Sequence, residues 1–313
     1  MTTGEPGGEG RLVIGLDVGG TNTTGALAGP DGTILEKIRR PTDRAGGALA
    51  GRRLIAEMVT ALMGHAAASG SRVERIGVGF GGPVDYGRGI VLLSHQVEGW
   101  ESVPLREELQ DRFGVAVVVD NDANAGTLAE WRFGAGRGVD DLLYVNVGTG
   151  IGGGVIAGGR LVRGARNLAG EIGHVVVIRD GPRCTCGARG CLEACASGDA
   201  LGRRAGEARG ETTTGRQVFE LAAAGDRGAA QVLSEVIEDL ARGIGAAVGL
   251  LNPELVVIGG GLSEAPAALF LEPLRAAIAR YCLEGAARGL RVETAELRYD
   301  AGVMGAVALA LSS

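Results

Sequence analysis

The chain has 313 residues, of which 45% are hydrophobic and 22% are charged. These shares are typical of soluble globular proteins, and they exclude a largely disordered chain, which needs few apolar residues and a high net charge. A chain of this length favours two domains of roughly 150 residues each. The formal net charge of −6 argues against a nucleic-acid-binding protein, because such a protein needs a basic face.

Glycine is the exception in this composition, with 57 residues against the usual share of about 7%. The glycines cluster at a few turns, which indicates backbone that approaches a ligand closely. No apolar run reaches the roughly 18 residues that a membrane span needs, so no membrane association is expected. Residues 1–10 lack the basic and apolar segments of a signal peptide. We therefore expect a short flexible tail there and a cytoplasmic protein.

The first 40 residues predict an antiparallel meander of three strands. An apolar run at 11–18 contains Asp17 and leads into the turn GGTNT. A second strand-like run at 23–28 and the turn GPDG then precede a third strand at 33–40.

Helices and apolar strands alternate after this meander. Apolar residues recur at helical spacing over 47–68, and a buried strand is expected at 73–80. A short helix at 104–112 begins with a proline. The β-branched run at 115–119 suits a parallel central strand. This alternation predicts an α/β architecture.

The second half repeats the beginning of the chain, because a strand at 142–147 meets the glycine turn GTGIGGG and a further strand at 155–157. Two units of strand, glycine turn and strand predict two related lobes with a ligand between them. The remaining expected elements are a long helix at 227–250, a strand at 255–258 and a terminal helix at 301–312.

The two Gly-Thr turns are candidate phosphate-binding loops. Such a turn exposes backbone N–H groups without side chains in the way, beside a threonine hydroxyl. Asp17, near the end of the first strand, could bind Mg²⁺ directly or through water. The pattern GxxxxGK[ST] is absent, and the single lysine, Lys37, lies in neither turn. The alternative is that both turns are ordinary glycine hairpins that bind no ligand.

The stretch Asp120-Asn121-Asp122-Ala123-Asn124 directly follows a buried strand. Ligands gather at the carboxyl ends of parallel strands, and a carboxylate there can accept a proton from a substrate hydroxyl. Capping of the next helix by Asp122 or Asn121 would explain the same residues.

A histidine and three thiols form the most specific pattern, because a Cys₃His set is a common closed structural zinc site. Its members are His174, Cys184, Cys186 and Cys191. Cys195 could compete as a ligand, but Cys191 is preferred because its glycine neighbour allows close approach. A redox pair or free thiols are the alternative.

Two glutamates adjoin this pattern, Glu171 before the histidine and Glu193 after the last thiol. A metal would fix the loop that presents both carboxylates, and such a pair suits hydrogen bonding to several sugar hydroxyls. The alternative is two glutamates that face solvent.

Taken in order, these motifs resemble the ROK family of bacterial sugar kinases, within the actin-like ATPase superfamily, over residues 11–312. The segments that carry the resemblance to two phosphate motifs, an adenosine segment and a zinc-bound sugar loop are LDVGGT (16–21), VGTGIGGG (147–154), NPELVVIGGGLS (252–263), ExGH (171–174) and CxCGxxGCxE (184–193).

The resemblance implies an α/β fold of the two-lobed actin-like ATPase (ribonuclease H-like) type, with a ligand cleft between the lobes. A small N-terminal lobe would take residues 11–120, with 301–313 returning to it as a helix. A large C-terminal lobe would take 121–300 and carry the zinc-bound loop 171–195.

The resemblance also implies a role for each matching residue, with Asp122 as the catalytic base. The residues that would hold the hexose are Gly82, Asn121, Asp122, Glu171, His174 and Glu193. Those that would bind ATP and Mg²⁺ are Asp17, Gly19, Gly20, Thr21, Gly148, Thr149, Gly150, Gly259, Gly260 and Gly261. Those that would bind structural Zn²⁺ are His174, Cys184, Cys186 and Cys191.

The implied reaction is phosphorylation of the primary hydroxyl of a hexose by ATP, a step of carbohydrate metabolism and glycolysis. Glucose is the first expectation, and N-acetylmannosamine, mannose, fructose and allose are alternatives. His95-Gln96 replaces the Pro-Asn pair that glucokinases of the family carry before Gly-Trp, which leaves the hexose open. The donor, ATP or polyphosphate, is open too.

Two other functions are alternatives: a catalytically silent sugar-binding regulator and a kinase of the superfamily that forms an acyl phosphate. Only ten residues precede the first strand, so no helix-turn-helix and no nucleic-acid partner is expected. The resemblance implies a homodimer or a higher homo-oligomer.

Overall fold

The computed structural model describes residues 10–94 and 96–312, so the tail expected before Gly10 lies outside the described residues. The chain divides into two compact units. The first takes the chain up to Phe133, Gly164–Leu168 and the chain from Tyr299 onward. The second takes Gly134–Arg163 and Ala169–Arg298.

Twelve strands and ten α-helices occur within the described ranges. The strands are β1 (Arg11–Val18), β2 (Asn22–Ala28), β3 (Ile34–Pro41), β4 (Arg72–Phe80), β5 (Val84–Asp85), β6 (Ile90–Val91), β7 (Ala116–Asn121), β8 (Leu142–Val147), β9 (Ile151–Ala157), β10 (Arg160–Val162), β11 (Leu255–Gly259) and β12 (Arg291–Thr294). The helices are α1 (Gly47–Ala68), α2 (Leu105–Phe113), α3 (Asp122–Phe133), α4 (Leu192–Ala196), α5 (Gly198–Arg209), α6 (Gly215–Ala223), α7 (Arg227–Leu251), α8 (Leu271–Arg280), α9 (Glu284–Ala287) and α10 (Ala301–Leu311). Among the described residues, no helix is both long enough and apolar enough to cross a bilayer.

The two units contain five-stranded sheets of the same topology. In the first unit the strand order is β3-β2-β1-β4-β7, and in the second it is β10-β9-β8-β11-β12. The first three strands of each unit form an antiparallel meander, and the last two run parallel to the first strand. This repetition confirms the two related halves expected from the two glycine turns, and with them the two-unit α/β fold.

Residues 12–16 of β1 are apolar and buried because both faces of the sheet are covered there. Leu16 packs in a core that also contains Leu62 of α1, and Val13 packs in a second core with Val307 of α10. A Cβ at Gly15 would lie 2.6 Å from the backbone nitrogen of Val307, so glycine lets α10 approach the sheet.

Helix α7 crosses the core of the second unit. The side-chain oxygen of Asp226 accepts a hydrogen bond from the N–H of Ala229, which caps the helix. Leu240 and Ile244 are fully buried in the core that also contains Val145 of β8.

Three sequence expectations differ from the structure. Strand β7 is parallel, as expected, but it lies at the edge of the sheet, so the expectation of a central strand was wrong. Its residues are apolar because helices α2 and α3 pack against it. Strand β9 begins at Ile151 instead of 155, because its glycines pair with β8 and let the chain at Gly170 lie close. The unit boundary falls after Phe133 instead of 120, because α3 packs on α10.

Candidate active site and metal centre

The carboxyl ends of β1, β4 and β7 lie at one edge of the first unit's sheet, because these strands are parallel neighbours. Asp17 lies near the end of β1, and Asp122 follows the end of β7 as the first residue of α3. The two carboxylates are close enough for the charge of Asp122 to affect the titration of Asp17. The structure thus brings together the expected Mg²⁺ ligand and the expected base.

Asp122 is exposed and is held at the N-terminus of α3. Its Oδ1 accepts hydrogen bonds from the N–H of Ala123 at 2.9 Å and from Asn121 Nδ2 at 3.0 Å. Both contacts favour the ionised carboxylate, as does the positive end of the helix dipole. This group is therefore placed as an acceptor for a hydroxyl proton.

Asn121 orients both Asp122 and the loop after β4. Its Oδ1 accepts from the N–H groups of Ala123 and Asn124, as an N-cap does, and its Nδ2 also donates to the carbonyl of Gly82 at 3.1 Å. A Cβ at Gly82 would lie 2.5 Å from the carbonyl oxygen of Leu93. Glycine at 82 therefore leaves room for the backbone beside Asn121.

Asp17 is half-buried, and its pKa is raised from 3.8 to about 7. Loss of solvent is the largest cause, the charge of Asp122 adds to it, and Arg39 acts in the opposite direction. A Cβ at Gly302 would lie 2.6 Å from the carboxyl carbon of Asp17, so the first turn of α10 abuts this group. A cation beside this carboxyl, such as Mg²⁺, would offset its loss of solvent and the charge of Asp122.

The second unit has a Gly-Thr turn in the same topological place, between its first two antiparallel strands. Gly148 N donates to the carbonyl of Gly150 at 3.0 Å, and Gly198 N donates to the carbonyl of Gly148 at 2.7 Å. Glu193 Oε2 accepts from Ile151 N at 3.0 Å. The turn is therefore closed on itself and fixed from both α4 and α5.

The glycines after β11 lie beside this turn, because β11 is the parallel neighbour of β8. Gly260 has a φ of +82°, and a Cβ there would lie 2.5 Å from the carbonyl carbon of Val147. The predicted phosphate turn and the predicted adenosine segment therefore share one edge of the second sheet.

A cavity of about 520 Å³ opens at this edge. Its volume is within the range of roughly 300–1,000 Å³ that small-molecule sites occupy. Besides Gly148, Thr149 and Gly261, it is lined by Gly198, Asp199, Gly215, Arg216, Phe219, Glu220, Leu262, Glu264, Ala265 and Pro266. The sequence analysis missed the α5 and α6 part of this wall, because those residues meet only through helix packing and carry no local motif.

The four expected metal ligands come together in the second unit. The ligand atoms of His174, Cys184, Cys186 and Cys191 all lie within 4.8 Å of one another. The Sγ atoms of Cys186 and Cys191 are 3.6 Å apart, close to the ~3.8 Å edge of a tetrahedron with Zn–S bonds of about 2.3 Å. Cys195 is buried and lies outside this group, so the structure favours Cys191 over Cys195 as a metal ligand.

The surroundings of Cys191 disfavour a thiolate that has no cation beside it. Burial, followed by the neighbouring thiols of Cys186 and Cys184, raises the pKa of Cys191 to about 12. Thiolates at this spacing repel one another, and a divalent ion would offset that repulsion. The donor set therefore fits a tetrahedral zinc ion.

His174 divides its two ring nitrogens between the cluster and an acid. Its Nδ1 lies 3.6 Å from Cys184 Sγ, and its Nε2 lies 3.8 Å from Glu171 Oε2. Metal binding through Nδ1 would leave Nε2 facing Glu171. Of the two expected sugar-binding acids, Glu193 is held by the N–H of Ile151 beside the second turn, whereas Glu171 is exposed and faces His174.

The chain is similar to known proteins over almost its whole length. The family model described as "ROK family" matches residues 13–313. A glucokinase of Thermotoga maritima is 38% identical over 311 residues, which cover 95% of this chain and 96% of that protein.

Two solved structures are similar as well. The ROK hexokinase of Thermus thermophilus has a TM-score of 0.86 at 37% identity, over 96% of this chain and 97% of that one. A ROK family glucokinase of Streptomyces griseus, in complex with glucose and AMPPNP, has a TM-score of 0.79 at 35% identity, over 96% of this chain and 100% of that one. The chain described here belongs to the ROK family.

Proposed function

We propose that this protein is a glucokinase that transfers the γ-phosphoryl group of ATP to the primary hydroxyl of glucose. The observation that carries the proposal is the placement of Asp122, an exposed carboxylate held by Ala123 N–H and Asn121 Nδ2 at the carboxyl edge of the first sheet. The glucokinase of Thermotoga maritima and the glucose complex of the Streptomyces griseus enzyme support the substrate.

In the proposed reaction Asp122 accepts the proton of the primary hydroxyl. The sugar oxygen attacks the γ-phosphorus as this proton leaves, the bond between the β–γ bridging oxygen and phosphorus breaks, and ADP departs. Catalysis is then mainly positioning and charge stabilisation, as in other phosphoryl transfers. Mg²⁺, beside Asp17, would neutralise charge on the phosphates.

The nucleoside of ATP is proposed to occupy the cavity beside Gly148–Gly150 and Gly259–Gly261. That cavity has the size of a nucleotide site, and its wall contains the aromatic ring of Phe219. The turns at Gly19–Thr21 and Gly148–Gly150 are proposed to contact the phosphates through their backbone N–H groups. The N–H groups of Gly19 and Gly148 are excepted, because they donate to the carbonyls of Asn22 and Gly150.

The sugar is proposed to be held by the polar groups named in the sequence analysis: Gly82, Asn121, Asp122, Glu171, His174 and Glu193. Carboxylates and an imidazole can each hydrogen-bond a hydroxyl of a hexose. Zinc bound by His174 and the three cysteines would fix the chain that presents Glu171 and Glu193.

We further propose that the enzyme acts in the cytoplasm as a homodimer. The cytoplasm supplies ATP and keeps thiols reduced, as a Cys₃His zinc site requires. Light scattering coupled to size-exclusion chromatography measures the dimer, and a monomeric mass at micromolar concentration would contradict that part.

The proposed function is tested over a panel of glucose, mannose, N-acetylmannosamine, fructose, allose and acetate, each with ATP and with polyphosphate as donor. Formation of the phosphorylated acceptor is the readout for both donors, and ADP release is measured in addition where ATP is the donor. Glucose with ATP should give the highest kcat/KM. The control is the same panel with Asp122→Asn. Sugar binding without turnover on any hexose would show a silent regulator, and turnover of a carboxylate acceptor alone would show an acyl-phosphate-forming kinase.

A further inference from the structure

The first phosphate turn, Gly19–Thr21, is held from its carbonyl side by the chain just before α1. Thr42 Oγ1 donates to the carbonyl of Gly19 at 2.7 Å, and Thr42 N donates to the carbonyl of Thr21 at 2.9 Å. Arg44 Nε donates to the carbonyl of Gly20 at 2.6 Å. All three carbonyl oxygens of the turn therefore have donors from one short segment.

Holding a carbonyl fixes the direction of the next N–H, because the two point in opposite directions within one planar peptide unit. The carbonyls of Gly19 and Gly20 thus determine where the N–H groups of Gly20 and Thr21 point. Glycine backbone rotates easily, so without these donors the two peptide planes would sample several orientations. The segment at 42–44 preorganises the N–H face of the turn.

Arg44 also fixes the hydroxyl of Thr21. Its Nη2 donates to Thr21 Oγ1 at 3.3 Å, which occupies an acceptor position of that oxygen. The hydroxyl proton of Thr21 must then point away from the guanidinium group. A single side chain therefore orients both a backbone N–H and a hydroxyl donor of the turn.

Gln96 completes this arrangement from the loop between β6 and α2. Its Oε1 accepts from Arg44 Nη2 at 3.1 Å, and a Cβ at Gly20 would overlap its side chain. The same loop is joined to the start of α1 by a hydrogen bond of 2.8 Å from Ala48 N to the carbonyl of Glu98. Gln96 thus holds the guanidinium over the turn.

We propose that Arg44 is a positioning residue for the phosphates of the nucleotide, acting through the carbonyl side of Gly20 and the hydroxyl of Thr21, with Gln96 as its partner. This inference rests on the proposed function, since it assigns the first turn to the phosphate donor. The planar guanidinium group is essential to it, because one ammonium group cannot satisfy the three acceptors in this geometry.

The test compares Arg44→Ala with Arg53→Ala, a matched control that removes an exposed arginine from α1. In Arg44→Ala the KM for ATP and the Kd for Mg-AMPPNP should rise about tenfold, and kcat should fall about tenfold, the equivalent of one hydrogen bond each. The KM for glucose should stay within about twofold. Arg44 is exposed, so the melting temperature should stay close to that of the wild type.

Three further measurements separate positioning from a structural role. Arg44→Lys should resemble Arg44→Ala in its KM for ATP and its kcat. Ethylguanidinium in the buffer should restore part of the activity of Arg44→Ala. The double variant Arg44→Ala/Gln96→Ala should lose little more activity than Arg44→Ala alone. An unchanged Kd for Mg-AMPPNP would overturn the proposal, and so would equal losses for glucose and ATP with a lower melting temperature.

The failure of this inference differs from a failure of the proposed function. A wild-type protein that turns over no hexose would remove the proposed function. The titration with Mg-AMPPNP would still decide the role of Arg44, because it needs no sugar and no turnover.

Discussion

Asp122 differs from Asp17 in environment, although both carboxyl groups lie at the same sheet edge. Asp122 is exposed and accepts two hydrogen bonds, whereas Asp17 is half-buried and has a raised pKa. One residue is therefore suited to accept a proton from a substrate, and the other is suited to a cation.

Replacing the carboxylate of Asp122 tests the first role. Asp122→Asn should lower kcat by about 10³-fold, the middle of the range for a general base, because the amide cannot accept the hydroxyl proton. The KM for glucose should change little, since the amide keeps the shape and the oxygen acceptor. Asp111→Asn, which removes an exposed carboxylate from α2, is the control. Turnover within tenfold of the wild type would exclude Asp122 as the base.

The raised pKa of Asp17 predicts a dependence of stability on pH. The folded state holds its proton up to about pH 7, whereas the unfolded chain releases it near 3.8. Stability without Mg²⁺ and nucleotide should therefore fall as pH rises through this window, by up to about 4 kcal/mol for a shift of this size. In Asp17→Asn that loss should disappear.

Urea denaturation from pH 4 to pH 8 measures this effect, at pH steps of about one unit. Glu57→Gln, which removes an exposed carboxylate from α1, accounts for the loss of one negative charge. At the upper end of the range Asp17→Asn should be more stable than the wild type. Parallel curves for the two proteins would show that Asp17 is already ionised.

At the scale of elements, periodicity was sufficient where one face of an element is uniformly apolar. The meander β1–β3 and helices α1 and α7 follow such patterns and agree with the structure to within a few residues. Helices α4–α6 were not predicted. The capping box of Thr214 and Gln217 marks the start of α6 in the sequence, whereas the packing of α5 against the chain before α6 has no local signal. For example, a Cβ at Gly202 of α5 would lie 2.6 Å from the carbonyl oxygen of Thr213, just before α6.

The candidate site divides in the same way. The four ligand atoms of the Cys₃His cluster come from residues close in sequence, so the spacing of these residues was enough to predict the cluster. The turn at Gly19–Thr21 was recognisable by its glycines, but its support by Thr42 and Arg44 was not. That support depends on β3 returning beside β2, which places residues 42–44 against the turn.

The segment that carries the Cys₃His cluster is proposed to bind zinc, and loss of the ion should then have a measurable effect on the site. One zinc per chain is expected by metal analysis, and Cys186→Ser should lose it. Without the ion, Glu171 and Glu193 lose their support, so the KM for hexose should rise by about tenfold or more. Cys282→Ser, at a half-buried cysteine outside the cluster, should behave as the wild type. Full activity of a metal-free preparation would contradict a role for the ion.

At the scale of the whole molecule, one five-stranded topology occurs twice, and each copy places a Gly-Thr turn between its first two strands. The turns are Gly19–Thr21 after β1 and Gly148–Gly150 after β8. Each unit thereby presents backbone N–H groups at the end of a buried strand. The proposed phosphate contacts would therefore come from the repeated fold, without a lysine.

The scarcity of lysine makes this last point testable. Of 31 lysine and arginine residues only Lys37 is a lysine, and it pairs with Asp300 at 2.7 Å on the surface. Acetylation of amines should remove that exposed ion pair, worth about 0–1 kcal/mol, and leave kcat and the KM for ATP within about twofold.

Phenylglyoxal, which modifies arginine, should inactivate the enzyme, and Mg-ATP should slow the loss of activity. Lys37→Arg serves as the control for the acetylation. A loss of activity on acetylation that Mg-ATP prevents would place an amine at the phosphates and contradict binding through backbone N–H groups.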